Sequence, residues 1–132
     1  MIDPVGLPDI FVRIVLVGSG NLAIQTALAL SEAGNPPVQV WSRNAEHAER
    51  LASMLPGATA TDRTKELLCD ADLYLLAVSD HALESVAATL PPTSGIWAHT
   101  AGSMPMDTLR PYHAQIGVFY PLQTFSRERR VD

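Results

Sequence analysis

Strand-like and helix-like runs alternate along this chain from Val12 to Leu122, and no other feature limits the possible folds as much. Val12–Val17, VRIVLV, is an almost unbroken apolar, largely β-branched run, as a strand covered on both faces requires. Helical spacing follows over Asn21–Ala33, where Leu22, Ala23, Thr26, Ala27 and Leu30 recur every three or four residues. Gly34 stops that helix, and Asn35-Pro36-Pro37 cannot continue it. Val38–Ser42 reads as a second strand. Asn44 suits the cap of a second helix, whose apolar stripe is Ala48, Leu51, Ala52 and Leu55, and Pro56-Gly57 ends it. Ala58–Thr61 reads as a short third strand, Lys65–Leu68 as a brief helix, and Asp72–Asp80 as a fourth strand. Ala82–Leu90 is helical, with Leu83, Val86, Ala87 and Leu90 on one side. Ile96–Thr100, Asp107–His113 and Gly117–Leu122 read as strand, short helix and strand. Alternation at this spacing implies crossover connections, hence a mainly parallel sheet of about six strands with helices on both faces.

Size and charge narrow the class further. At 132 residues the chain is one domain. It can bury roughly two-thirds of the surface that its unfolded form exposes, so it needs no staples. Residues 1–12 read as an N-terminal arm, 13–126 as the folded domain and 127–132 as the start of a linker. The formal net charge of −5, with nine Lys plus Arg, supplies no basic field for nucleic acid or an anionic membrane. A single cysteine, Cys69, allows neither an internal disulfide nor a thiolate zinc cage; burial is its default, and a reducing cytoplasm the simplest compartment. The opening MIDPVGLPDIFVR carries acids and prolines where a signal peptide needs basic residues and an apolar core. No apolar run approaches the ~20 residues of a membrane span. His47, His81, His99 and His113 show no metal-binding spacing.

The chemistry concentrates where strands give way to helices. Gly18-Ser19-Gly20-Asn21-Leu22-Ala23 fits G-x-G-x-x-A between the first strand and the first helix, inside a βαβ unit. Gly18 permits a tight turn, Gly20 lets backbone approach a pyrophosphate, and Ala23 lets helix pack on sheet. The N–H groups of Ser19, Asn21 and Leu22 would then face the anion. A bare strand-to-helix turn explains the same residues without a ligand. The expected architecture is α/β, a three-layer, Rossmann-type doubly wound sheet. After the second strand come Ser42, Arg43 and Asn44, with no acid before Glu46. An acid there would hold a free ribose hydroxyl, whereas an Arg suits a 2′-phosphate. NADP is therefore favoured over NAD, the alternative being that Arg43 is a solvated surface charge. Ala77, Val78 and Ser79 leave the fourth strand and would border the nicotinamide. Asp80 either caps the next helix or takes part in chemistry, with capping preferred. His99 and Thr100 reach the same edge from the fifth strand, with Gly102 and Ser103 in the turn beyond. His99 and Ser103 are the catalytic candidates. For His99 a general acid–base role, a bond to the cofactor and a structural role all stand open.

The segments IVLVGSGNLA, VWSR, DLYLLAVSD, HTAGSMPMDTL and GVFYPLQTFS resemble a bacterial Rossmann-like family related to pyrroline-5-carboxylate reductase and to deazaflavin-dependent NADP oxidoreductases. The resemblance runs from Arg13 onward. It implies that the turn at Gly18 and Gly20 holds the pyrophosphate and that Ser42–Arg43 holds the 2′-phosphate; it carries over no catalytic residue. It also implies a helical second domain that supplies dimer contacts and lies outside this sequence. Gln123 and Ser126 are then either crevice residues or part of a strand and linker. The expectation is the NADP-binding domain of an oxidoreductase moving hydride between nicotinamide and a small carbonyl or imine, a homodimer being possible. Without its second domain the chain is expected to bind cofactor but turn nothing over. The alternative is a non-catalytic dinucleotide-binding or sensing module. A nucleotide-sugar or methyl-donor ligand on the same fold is a weaker third reading.

Overall fold

A computed structural model of the chain describes residues 12–91, 93–99 and 116–118. Six parallel strands form one sheet: β1 (Ile14–Val17), β2 (Gln39–Trp41), β3 (Thr59–Thr61), β4 (Leu73–Leu76), β5 (Ile96–His99) and β6 (Ile116–Val118). Their spatial order is β3-β2-β1-β4-β5-β6, so the order reverses between β1 and β4. Val17 pairs with both Trp41 and Leu76, and Leu76 with His99, so these strands end together along one edge. The expected doubly wound α/β architecture is present, and every described strand pair is parallel.

The helices α1 (Asn21–Glu32), α2 (Ala45–Ala52) and α3 (Asp80–Thr89) follow β1, β2 and β4. Side chains alternate across β1. Ile14 and Leu16 join Val40, Leu75 and the α1 and α2 residues Ala23, Ala27, Leu30, Ala48 and Leu51. Val15 and Val17 join Trp41, Tyr74, Leu76, Trp97 and the α3 residues Leu83, Val86 and Ala87. Each sheet face thus has its own core, and burying a Leu or Val side chain contributes about 1.5–3 kcal/mol. Tyr74 and Trp97 stack with ring centroids 4.6 Å apart.

Element ends differ from the sequence reading in instructive ways. The fourth strand spans Leu73–Leu76, not Asp72–Asp80. At its start the Asp72 carboxylate accepts the Arg13 backbone N–H (2.8 Å), which sets the register of β4 beside β1. At its end Ala77 donates to the Val17 carbonyl, and the chain then turns into α3. That helix begins at Asp80, two residues earlier than expected, with Ser79 in the N-cap position; Asp80 is therefore not the cap. Asn44 does cap α2, its side chain accepting the His47 N–H at 3.0 Å. The first helix ends as expected: Gly34 takes φ 91° and Asn35 donates back to the Leu30 carbonyl. The brief helix expected over Lys65–Leu68 is a 3-10 turn at Thr64–Glu66. Cys69 is exposed, contrary to the expected burial. Its neighbours Leu67 and Ala71 take the core positions. The Tyr74 hydroxyl donates to the Leu68 carbonyl and accepts the Ala71 N–H, which fixes that loop with Cys69 outward. Among the described residues no helix is long and apolar enough to cross a membrane, and no cluster of metal-ligating side chains occurs. The expected arm 1–12 apart from Val12, the helix at 107–113, the strand beyond Val118 and the linker 127–132 lie outside the described residues.

Candidate functional site

The carboxyl edge of the sheet at the β1/β4 reversal is where an open α/β fold places its ligand crevice. Gly18 is buried there with φ 126°, a backbone state that side chains strain to adopt. An added Cβ would overlap the Ala77 carbonyl and lie 3.2 Å from Val78 Cγ1. Its N–H donates to the Trp41 carbonyl at 2.8 Å. Gly18 therefore joins three strand ends at one point. Gly20, two residues on, is exposed, and nothing lies within 4 Å of an added Cβ. It occupies the N-cap position of α1 without a side-chain cap, and no acid stands in the first turn. The first-turn N–H groups of Asn21 and Leu22 thus open onto free space beside a positive helix end. Ala23 is fully buried against the sheet, the close packing expected of the third motif position.

The end of β2 meets this turn. The Ser19 and Ser42 hydroxyls are 2.7 Å apart, and Ser42 Oγ also accepts the Asn44 N–H at 3.1 Å. Ser42 is 6% exposed, and these partners hold its hydroxyl oxygen in place. The alternation of β2 places Ser42 and Arg43 on opposite sides of the edge. Ser42 faces α1, whereas Arg43, exposed, reaches α3 and donates from Nη2 to Ser85 Oγ at 2.9 Å. Asn44, read as a binding residue, has its side chain occupied as the α2 cap. From β4, Ala77 is buried, Val78 half-buried and Ser79 exposed, a graded floor at the same edge.

His99 ends β5 and is completely buried. Thr100 and Ser103, read as cofactor and catalytic residues, lie outside the described residues, as do Gln123 and Ser126.

One group of residues was missed by the sequence reading. A cavity of about 230 Å³ opens between α1 and α2, lined by Ser19, Gly20, Asn21, Ile24, His47, Arg50, Leu51 and Met54. The sequence reading gave His47 no role beyond its lack of metal-binding spacing and did not weigh Arg50. Residues 47, 50, 51 and 54 lie at i, i+3, i+4 and i+7, one helical face. Once Asn44 fixes where α2 begins, that spacing is the signal that could have found them.

Comparison with known proteins agrees with this geometry. Residues 13–99 match the family described as NADP oxidoreductase, coenzyme F420-dependent. A candidate NADP oxidoreductase from Bacteroides fragilis is 35% identical with a TM-score of 0.68; the alignment covers 83% of this chain and 43% of that one. A glycerol-3-phosphate dehydrogenase (NAD(P)+) from Sphingopyxis alaskensis is 31% identical over 86 residues, 56% of this chain and 25% of that protein. The fold is shared with a 1-pyrroline-5-carboxylate reductase from Streptococcus pyogenes, at 16% identity and a TM-score of 0.63, over 78% of this chain and 39% of that one. The chain thus spans less than half the length of these three proteins. With its βαβ glycine turn and its sheet order, the chain belongs to the coenzyme F420-dependent NADP oxidoreductase family and carries an NADP-binding domain of that family.

Proposed function

We propose that this domain holds NADP across the β1/β4 edge for an oxidoreductase that passes hydride between the nicotinamide and a small carbonyl or imine. The observation that carries the reading is the first turn of α1: uncapped, free of acids and unobstructed at Gly20, with the Ser19–Ser42 hydroxyl pair beside it. The pyrophosphate would lie on the N–H groups of Ser19, Gly20, Asn21 and Leu22, with Gly18 shaping the turn. Ser42 would donate to the 2′-phosphate, and Arg43 would bind it and cover the adenine. Asn44 would contribute through the capped start of α2. Ala77, Val78, Ser79 and Thr100 would border the nicotinamide. The cofactor supplies the hydride chemistry; this chain's residues bind, orient and exclude water.

Catalysis by His99 and Ser103 belongs to the same proposal, and the complete burial of His99 bears on it. An imidazole buried at the end of β5 supports a structural or cofactor-bonding role for this histidine. It also favours the second reading, a non-catalytic dinucleotide module. The test is direct. Titration with NADP and NAD should show NADP bound about tenfold to a hundredfold more tightly. NADPH oxidation should then be assayed with carbonyl and imine substrates, and with coenzyme F420 because the family's description names it. Binding without turnover on any of them would favour the module.

A further inference from the structure

The cavity beside the glycine turn contains a cation that the reading above does not use. Arg50 lines it together with Ser19, Gly20 and Asn21 from the start of α1, and with His47 from its own helix. Glu46 stands four residues earlier, where a helix commonly pairs Glu with Arg. Among the described residues Arg50 nevertheless makes no ion pair; the pair present is Arg13 with Asp70, at 3.2 Å. The α1 residues facing the cavity, Asn21 and Ile24, carry no charge, and Glu49 adjoins Arg50 on α2 outside the lining. Arg43, by contrast, is already bonded to Ser85 on the α3 side of the sheet. The Ser19–Ser42 hydroxyl pair lies on the α1 side, bordering the cavity through Ser19.

We infer that Arg50 is a specificity-determining residue for the 2′-phosphate, binding it from the α2 side while Arg43 approaches from above the sheet edge. This rests on the NADP reading of the site. Two guanidinium groups from opposite directions fit one phosphate, because its three terminal oxygens diverge and each guanidinium presents a planar fork of donors. Ile24, Leu51 and Met54 give the cavity an apolar floor on which the Arg50 stem would pack, with its charged end toward the rim.

The experiment measures NADP and NAD affinity for the whole chain, unmodified and as Arg50→Ala, Arg50→Lys and Arg43→Ala. Arg50→Ala should weaken NADP about tenfold and leave NAD within about twofold, whereas Arg50→Lys should recover part of the loss. Because the two dinucleotides differ only at the 2′ position, unchanged NAD binding also reports an intact fold. An equal loss for both would mean that Arg50 faces the pyrophosphate or supports the fold, and would overturn the assignment. A tenfold preference for NADP that survives Arg50→Ala would overturn it while leaving the NADP reading intact. Equal binding of NADP and NAD by the unmodified chain would overturn both.

Discussion

Among the described residues three helices begin along the carboxyl edge of the sheet, and α1 and α2 begin in opposite ways. Asn44 caps α2 through the His47 N–H, and Glu46 adds an acid to its first turn. One of its orphan donors is therefore satisfied from within the chain, and an acid stands at its positive end. The first turn of α1 has neither, since Gly20 has no side chain to offer. α3 lies between these cases: Ser79 holds the N-cap position, but its side chain makes no capping bond. Glycine in place of a capping side chain costs only a few tenths of a kcal/mol, so α1 leaves its first-turn N–H groups open at little cost, and a bound anion would satisfy them. The contrast divides one edge: the start of α2 is capped by its own sequence, and the start of α1 is left uncapped.

The sharpest way to break the comparison lies within the α1 turn. Gly18→Val combines a forbidden φ with overlap on the Ala77 carbonyl. Strain and overpacking together should cost roughly 2–6 kcal/mol, measured by chemical denaturation. A loss below about 1 kcal/mol would mean that the strand ends are not locked as described. Gly20→Val, two residues away, should change stability by less than about 1 kcal/mol because its side chain meets open space. Its effect should appear in calorimetric titration instead, as a loss of NADP affinity of about a hundredfold or more, near 2.7 kcal/mol. If Gly20→Val binds NADP normally, the open helix start is not an anion site. Next in size is Arg43→Asp, which should erase the preference for NADP over NAD, a change of about 1.5–3 kcal/mol. On the closed side, Asn44→Ala should lower stability by about 1 kcal/mol and weaken dinucleotide binding far less than Gly20→Val does, because Asn44 would contribute only through the α2 start that it caps; a comparable affinity loss would show that the α2 start holds ligand directly.

A smaller effect separates the edge from the core. Burial raises the Tyr74 phenol above its ordinary value, with the bond from the Ala71 N–H opposing the shift. The folded protein thus holds that proton more tightly than the unfolded chain does. The contribution is complete below the ordinary tyrosine value of about 10 and is lost as pH rises through the folded one. Denaturation between pH 8 and 11 should show stability falling on the alkaline side, with a shallower fall in Tyr74→Phe. Dinucleotide affinity near neutral pH should be unaffected, since Tyr74 lies in the core.

Much of this was legible because the relevant signals are local. The β-branched run of β1, the Gly34 stop and the Asn44 cap each state a backbone preference within a few residues, and each proved correct. Gly18 and Gly20 were legible as a motif, but their division of labour was not. That Gly18 is locked depends on Ala77, nearly sixty residues later in the chain. Arg50 was overlooked for a similar reason: only the packing of α1 beside α2 turns a surface arginine into a cavity residue. The start of α3 was misplaced because β4 ends where its neighbours end, which its own apolar run does not disclose. Cys69 failed because a composition default carries no information about which way one loop residue points.

The Ser19–Ser42 contact has one more consequence, and it concerns protons. Either hydroxyl can donate across the 2.7 Å gap, while Ser42 Oγ already accepts from the Asn44 N–H. Whichever hydroxyl donates inward, the other keeps an O–H directed outward. Reversing the pair moves a donor from the β1 turn to the end of β2 by two hydroxyl rotations, with every heavy atom in place. The rim between the two strands can therefore offer a donor from either strand on one fixed frame, and an anion settling there would set which of the two it is.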